Sequence, residues 1–96
     1  MPHYIILGNF TEQGIRNIKD TIKRVENFKA AVEKAGGKFV SHYYTLGKHD
    51  IVTIVETPND ETMMSIILAA GSLGNVRTET LKAFSMDEAA KIIERV

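Results

Sequence analysis

The stretch Leu46-Gly47-Lys48-His49-Asp50-Ile51-Val52-Thr53-Ile54-Val55-Glu56-Thr57-Pro58 decides the fold prediction for this chain. Its middle, 51–55, is β-branched at every position, which is typical of a packed β-strand. The preceding segment, 39–46, also has strand character. Gly47-Lys48 therefore predicts a two-residue hairpin loop in which Gly47 has a positive φ. We expect this hairpin to form the middle of one sheet.

Capping residues and hydrophobic periodicity predict the remaining elements. Thr11, Asp20 or Thr21, Asn59 and Ser85 are suited to begin helices, and Ser85-Met86-Asp87-Glu88 has the pattern of a capping box. The predicted strands and helices are a strand over 3–10, a short helical turn from Glu12, and a helix from 20 or 21 to about 35, followed after the hairpin by a helix over about 60–73, a strand over 76–84 and a helix over 86–95. Along the short turn and the first long helix, a stripe at three- and four-residue steps predicts the buried side, with the charged residues, Arg24 among them, on the other. The stripe consists of Ile15, Ile18, Ile22, Val25, Phe28 and Val32.

This order, β-α-β-β-α-β-α, predicts an α+β, ferredoxin-like β-α-β-β-α-β fold with an extra C-terminal helix and a four-stranded antiparallel sheet. The helices can cover one face of the sheet. The first strand is apolar on both faces, so the other face needs a cover as well. We therefore expect a homodimer, or a higher even-numbered oligomer, in which two sheets pack face to face as a dimeric α/β barrel. The helix over 60–73 is apolar on nearly its whole circumference and could support further assembly.

Length and composition narrow the class of protein. Ninety-six residues predict a single domain, 1–96. Twelve basic residues balance twelve acidic ones, which argues against binding nucleic acid or an anionic membrane surface. No cysteine is present, so disulfide and thiolate chemistry are excluded. Neither a membrane-spanning apolar run nor a signal peptide is predicted, and the cytoplasm is the expected location.

Four stretches of this sequence resemble the GYD-domain proteins, small members of the dimeric α/β barrel group. They are Thr11-Glu12-Gln13-Gly14-Ile15, Leu46-Gly47-Lys48-His49-Asp50, Val55-Glu56-Thr57-Pro58 and Gly71-Ser72-Leu73-Gly74-Asn75-Val76-Arg77-Thr78-Glu79-Thr80. The motif that gives the family its name is a Gly and a Tyr-Asp pair at the hairpin. Here Gly47 and Asp50 match it, whereas His49 stands at the Tyr position. The resemblance implies the dimeric barrel fold and no established activity, and relatives of that fold include cofactor-free monooxygenases, isomerases, haem-dependent enzymes and ligand-sensing domains.

The predicted hairpin register places one polar set on a shared face of the sheet. If Leu46 lies opposite His49, then His42, Tyr44 and Thr53 point to the same side. We predict that they form a polar group in an otherwise apolar barrel interior, where they would contact a ligand. The alternative is that they are ordinary half-buried strand residues.

His49, Asp50 and Arg77 complete the predicted ligand-binding residues. Asp50 follows a turn, so its more frequent role is to accept backbone N–H hydrogen bonds and fix the hairpin. Arg77 could bind an anionic group, although an ion pair at the surface or between subunits is the commoner role. No histidine spacing typical of a metal site is present, and neither a metal nor another cofactor is predicted.

The sequence predicts a small cytoplasmic homo-oligomer that binds a small, partly apolar molecule in the barrel between the sheets. The alternative is a cofactor-free monooxygenase- or isomerase-like enzyme that uses His42, Tyr44 or His49 with Asp50 as general acid and base. A third alternative is an interaction module without a ligand.

Overall fold

One antiparallel sheet of four strands, in the order β2-β3-β1-β4, forms the centre of the computed structural model, which describes residues 1–96. The strands are β1 (His3–Phe10), β2 (Lys38–Tyr44), β3 (Ile51–Glu56) and β4 (Val76–Ala83). The helices are α1 (Glu12–Arg16), α2 (Thr21–Lys34), α3 (Asp60–Ser72) and α4 (Met86–Ile93), with a 3₁₀ turn over Ile18–Asp20. The predicted α+β ferredoxin-like fold is thereby confirmed.

The hairpin has the predicted register but a longer loop than predicted. His42 pairs with Thr53 and Tyr44 with Ile51. The loop takes up all of 45–50, and Gly47 does not have a positive φ. The prediction of a two-residue turn was wrong because the last hydrogen bond between the two arms joins the Thr45 amide to the Asp50 carbonyl at 2.9 Å, which leaves residues 46–49 to turn the chain. Asn9 of β1 binds this loop, since its side-chain amide donates to the Lys48 carbonyl at 2.8 Å.

The alternation of side chains gives the sheet two different faces. We call the face under α2 and α3 the helix face and the other the open face. The strand residues of the helix face are Tyr4, Ile6, Gly8, Phe10, Phe39, His42, Tyr44, Ile51, Thr53, Val55, Val76, Thr78, Thr80 and Lys82. Those of the open face are His3, Ile5, Leu7, Asn9, Lys38, Ser41, Tyr43, Val52, Ile54, Glu56, Arg77, Glu79, Leu81 and Ala83. None of the helices has both the length and the hydrophobicity that a membrane-spanning segment requires.

The segment between β1 and β2 is divided into three pieces, and this division changes which residues are buried. Thr11 begins α1 by accepting a hydrogen bond from the Gly14 amide, as predicted. The 3₁₀ turn before α2 then shifts the helical phase, because its side chains repeat every three residues. Val32 is fully buried as the stripe predicted, whereas Ile15 and Ile22 are more than half exposed.

The core lies between the helix face and α2 and α3. Its buried members are Tyr4, Ile6, Val32, Val55, Met63 and Ile66. The Tyr4 hydroxyl donates to the carboxylate of Asp60 in the first turn of α3, and Lys82 on β4 pairs with the same carboxylate at 3.1 Å. Burial raises the pKa of the Tyr4 phenol, so it stays a hydrogen-bond donor. These contacts attach the start of α3 to the sheet.

Candidate functional site

A cavity of about 450 Å³ opens between the helix face and the helices α2 and α3. Its floor is apolar and buried, and it is formed by Ile6 of β1, Ile51 of β3 and Ile66 of α3. Twelve of its twenty lining residues are hydrophobic. This size and composition fit a site for a small molecule, since such sites are concave, mostly apolar and lined by a few polar groups.

His42 and Thr53 supply a polar pair on the wall of the cavity. His42 Nδ1 lies 2.8 Å from Thr53 Oγ1, and only 4% of Thr53 is exposed. The cross-strand register sets this contact, because directly opposed side chains on one face of an antiparallel pair are neighbours. The polar pair was predicted from the same register.

The location of this pair differs from the prediction. The two residues belong to the helix face, so they line a cavity within one subunit and not the interior of a barrel between two sheets. The reason is that strand alternation sorts residues into two faces without saying which face the helices cover. Burial of Ile51, Thr53 and Val55 under α2 and α3 settles this point.

Aromatic rings enclose His42 on both sides. The Phe39 ring stacks on it at 6.4 Å between centroids, and the Tyr44 ring meets it edge-on at 4.9 Å. Nε2 is buried and has no hydrogen-bond partner in the chain. Burial lowers the pKa of His42 below its ordinary value of 6.5, so the imidazole is neutral at neutral pH. A neutral imidazole at this position can donate or accept one hydrogen bond according to its tautomer.

Tyr44 lies beside the cavity and is half exposed. Its hydroxyl is 3.1 Å from the hydroxyl of Thr21, which begins α2 and lines the cavity. Tyr44 therefore joins the edge of β2 to the start of α2, and its ring holds the imidazole of His42 in place.

His49 and Asp50 do not line the cavity. Asp50 Oδ2 accepts the amide of Phe10 at 2.9 Å, which is the hairpin-fixing role that turn chemistry favours. His49 Nδ1 lies 3.0 Å from Oδ1 of Asn9, a residue of the open face. The predicted register would have placed His49 on the same side as His42, but the longer loop carries it toward Asn9 instead.

Arg77 lies on the open face, away from the cavity. It is exposed and pairs in register with Asn9. The structure therefore brings together His42, Thr53 and Tyr44 among the predicted site residues, and separates Arg77 from them. No three His, Asp or Glu side chains come close enough to hold a metal ion.

Arg24 is the cavity residue that sequence reasoning missed. It was assigned to the charged outer side of the long helix, yet it is half-buried and lines the cavity. Its guanidinium donates to the carbonyl of Gly14 at 3.2 Å and lies 6.0 Å from the centre of the Phe10 ring. If the helical wheel is started at Thr21, where α2 begins, Arg24 lies one turn after Thr21 and on the same side of the helix as Val25 and Phe28. This placement would have predicted that Arg24 faces the sheet with them.

The end of the cavity is built where two of the family-like stretches meet. Thr11 donates its amide to the carbonyl of Asn75 at 3.0 Å and its hydroxyl to the carbonyl of Gly74 at 2.6 Å. The Gln13 amide group donates to the side chain of Asn75 at 2.9 Å. Gly14 must lack a side chain here, because a Cβ would lie 2.0 Å from the carbonyl oxygen of Asn75. The resembling residues thus shape the cavity end that contains Phe10, Arg24 and Asn75.

Comparison with known proteins finds relatives that match nearly the whole length of this chain. A model of the GYD domain family matches residues 4–93. Over 84 residues the chain is 31% identical to the glutamine synthetase and cystathionine beta-lyase binding protein of Thermus thermophilus, covering 86% of this chain and 88% of that relative.

Two crystal structures have the same fold. That of MtbAldR superposes with a TM-score of 0.68 at 13% identity, over 88% of this chain and 52% of MtbAldR, so the chain spans about half the length of that protein. That of TTHA0845 from Thermus thermophilus superposes with a TM-score of 0.57 at 24% identity, over 88% of this chain and 95% of TTHA0845. The family match extends over nearly the whole chain and includes the junction at the cavity end. The chain therefore belongs to the GYD domain family.

Proposed function

We propose that this protein is a cytoplasmic homo-oligomer that binds a small, partly apolar molecule in the cavity between the sheet and the helices α2 and α3. The observation that carries the proposal is an apolar cavity of about 450 Å³ with the polar pair His42 and Thr53 on its wall. Small-molecule sites are typically concave and mostly apolar with a few convergent polar groups, so this combination favours a binding role.

The polar groups support a ligand that is not purely apolar. A buried imidazole nitrogen without a hydrogen-bond partner is uncommon in native proteins and requires an explanation. A bound molecule with one donor or acceptor near Nε2 would provide the missing hydrogen bond. The apolar floor at Ile6, Ile51 and Ile66 would contact the rest of that molecule.

A blocked cavity tests the proposal. Ala70 lines the cavity, and Ala30 is an exposed residue of α2 that does not. We expect native mass spectrometry of untagged wild type to show extra mass that is lost on denaturation, and Ala70→Phe to lack it. Ala30→Phe serves as the matched control and should keep it. Wild type without extra mass, and without a thermal shift toward bicyclic aromatic probes, would refute binding in this cavity.

The second part of the proposal concerns a second copy of the chain on the open face. Ile5, Leu7, Val52 and Ile54 are apolar, partly exposed residues of this face, which lies opposite α2 and α3. Arg77 and Glu79 place both charge signs on the same face, so two copies related by a twofold axis can match opposite charges. This arrangement would give the sheet-to-sheet dimeric barrel.

Sedimentation velocity at micromolar concentration tests the dimer. Leu81 lies on the open face and is 41% exposed, whereas Leu68 is 63% exposed on α3. Leu81→Arg should convert the dimer to a monomer, and Leu68→Arg should leave the sheet-to-sheet dimer intact. A monomeric wild type would refute the proposal, and a dimer disrupted only by Leu68→Arg would move the interface to α3.

Cofactor-free proton transfer on the bound molecule is a second candidate function, and His42 is the residue that favours it. Its imidazole lines the cavity, and burial lowers its pKa so that the neutral, basic form is present at neutral pH. The molecule recovered from wild type would be incubated in D₂O with enzyme and followed by NMR. Loss of a C–H signal with wild type but not with His42→Phe would establish this activity, and equal rates would exclude it.

A protein partner is a third candidate, which the Thermus relative suggests. That relative, 31% identical, is named for binding glutamine synthetase and cystathionine beta-lyase. Titration calorimetry tests whether this chain shares the property, with the two enzymes purified from the organism to which this chain belongs. Binding of either enzyme at micromolar affinity would support it, and no heat with both would exclude it.

A further inference from the structure

The charged lining of the cavity is unusually simple. Among its twenty lining residues, Arg24 is the one with a formal charge at neutral pH, and no Asp, Glu or Lys is present. The other polar liners include Thr21, Asn27, His42 and Thr53, which are neutral. An anion in the cavity would therefore meet one attractive charge and no lining charge that repels it.

The guanidinium of Arg24 is held by neighbouring groups, but no carboxylate neutralises its charge. It donates one hydrogen bond to the Gly14 carbonyl and lies over the ring of Phe10. The contacts between basic side chains and carboxylates are His3 with Glu56, His3 with Glu88, Arg16 with Glu12 and Lys82 with Asp60, so Arg24 has no carboxylate partner. A guanidinium has five N–H donors in a planar fork, which leaves a set suited to two parallel hydrogen bonds with a carboxylate.

Gly14 is held rigidly, and this makes the position of Arg24 well defined. The turn that contains Gly14 is bonded to the start of β4 through Thr11 and Asn75. Phe10 is bonded in turn to Asp50. The supports of the guanidinium thus belong to two junctions that join distant parts of the chain, and such preorganisation reduces the cost of ordering a binding group.

From this arrangement we infer that the cavity takes a molecule whose apolar body carries a single carboxylate, with Arg24 binding that carboxylate at the cavity end and Ile6, Ile51 and Ile66 contacting the apolar body. The inference rests on the proposed function, because it names the ligand class of the same cavity. Partial burial strengthens the attraction, since the effective dielectric constant near Arg24 is lower than that of water.

A matched pair of probes separates charge from shape. 2-Naphthoate and 2-naphthamide have the same bicyclic body and differ in the carboxylate. We expect wild type to bind naphthoate at least about tenfold more tightly than naphthamide in fluorescence titrations at low salt, and the ratio to fall as salt rises. Arg24→Met should lower the ratio to within about twofold while keeping the naphthamide affinity, and Arg24→Lys should restore part of it.

Arg16→Met is the control variant, because Arg16 is exposed, pairs with Glu12 and does not line the cavity. It should keep the wild-type ratio. Equal binding of both probes by wild type, or an unchanged ratio in Arg24→Met, would overturn the carboxylate inference and leave the proposed function standing. Failure of both probes to bind wild type would overturn the carboxylate inference, and only together with the absence of extra mass in native mass spectrometry would it overturn the proposed function as well. Urea unfolding of Arg24→Met within about 0.5 kcal/mol of wild type would show that a lost ratio is not a loss of folding.

Discussion

Thr53→Val removes one hydrogen bond from the cavity wall without changing the shape of the side chain. Thr53 is 4% exposed, and its hydroxyl lies 2.8 Å from His42 Nδ1. The lost hydrogen bond accounts for about 0.5–1.5 kcal/mol, and an imidazole left without any partner adds to that cost. We therefore expect the free energy of unfolding to fall by about 2 kcal/mol, which lowers Tm by about 10 °C in a domain of this size.

Substitution of His42, the hydrogen-bond partner of Thr53, completes a double-mutant cycle that tests this expectation. His42→Phe alone leaves the buried Thr53 hydroxyl unpaired and should cost about 1 kcal/mol. The double variant His42→Phe/Thr53→Val removes both polar groups, so its free energy of unfolding should return to within about 0.5 kcal/mol of wild type. Urea unfolding followed by circular dichroism measures all four proteins, each at two concentrations, because an oligomer's stability depends on concentration. Additive single costs, within about 0.3 kcal/mol, would refute a hydrogen bond between these residues.

Three further predictions follow from single contacts. First, the free energy of unfolding should decrease as the pH falls below 6.5, the ordinary pKa of histidine. In this range the unfolded chain binds a proton at residue 42, whereas the buried His42 of the folded chain binds one only at lower pH. The decrease should level off below the pKa that His42 has in the folded chain. Gly14→Ala places a Cβ 2.0 Å from the Asn75 carbonyl oxygen and should cost about 3 kcal/mol in urea unfolding. Asp50→Ala removes the acceptor of the Phe10 amide and should lower the free energy of unfolding by about 1–2 kcal/mol and reduce the protection of that amide in hydrogen exchange.

Each of these predictions has its own control. Asp60 and Glu88 also have lowered pKa values, but their ordinary values, 3.8 and 4.5, confine their effect on stability to lower pH. Between that range and pH 6.5, His42→Phe should make the free energy of unfolding nearly independent of pH. An unchanged slope there would assign the effect to groups other than His42. Gly71→Ala should stabilise, because a Cβ there meets nothing within 4 Å and alanine favours helix; equal effects at Gly71 and Gly14 would contradict the contact with Asn75. Asp50→Asn keeps an acceptor oxygen and should retain part of the lost stability, and a loss equal to that of Asp50→Ala would argue against the backbone hydrogen bond.

Local patterns predicted most of the elements because their causes are local. β-branched residues predicted β3, and the helix starts at Thr11, Asn59 and Ser85 were predicted from side chains that accept amide hydrogen bonds two or three residues ahead. The hairpin register was also predicted correctly. The loop was not, because it contacts another strand, where Asn9 binds Lys48 and His49.

The cavity depended on contacts that a linear pattern does not record. Arg24 belongs to it because the 3₁₀ turn resets the phase of α2 and because Gly14 provides a carbonyl at the right place. His49 lies apart from His42 because Asn9 binds it. The contact with Asn9 leaves no periodic signal because the partners are 40 residues apart. The periodicity of α2 places Arg24 correctly only once the position of the 3₁₀ turn is known.

The sequence by itself determined the order of the elements, the helix caps, the strand pairing at His42 and Thr53, and the family. These depend on backbone preferences and on side-chain alternation, which act over a few residues. Only the tertiary structure decided that His42 and Thr53 face the helices, that Arg24 lines the cavity with them, and that Arg77 lies on the opposite face. The reason is that alternation defines two faces of a sheet equally well, and the packing of α2 and α3 against one of them makes that face the one that contains the cavity.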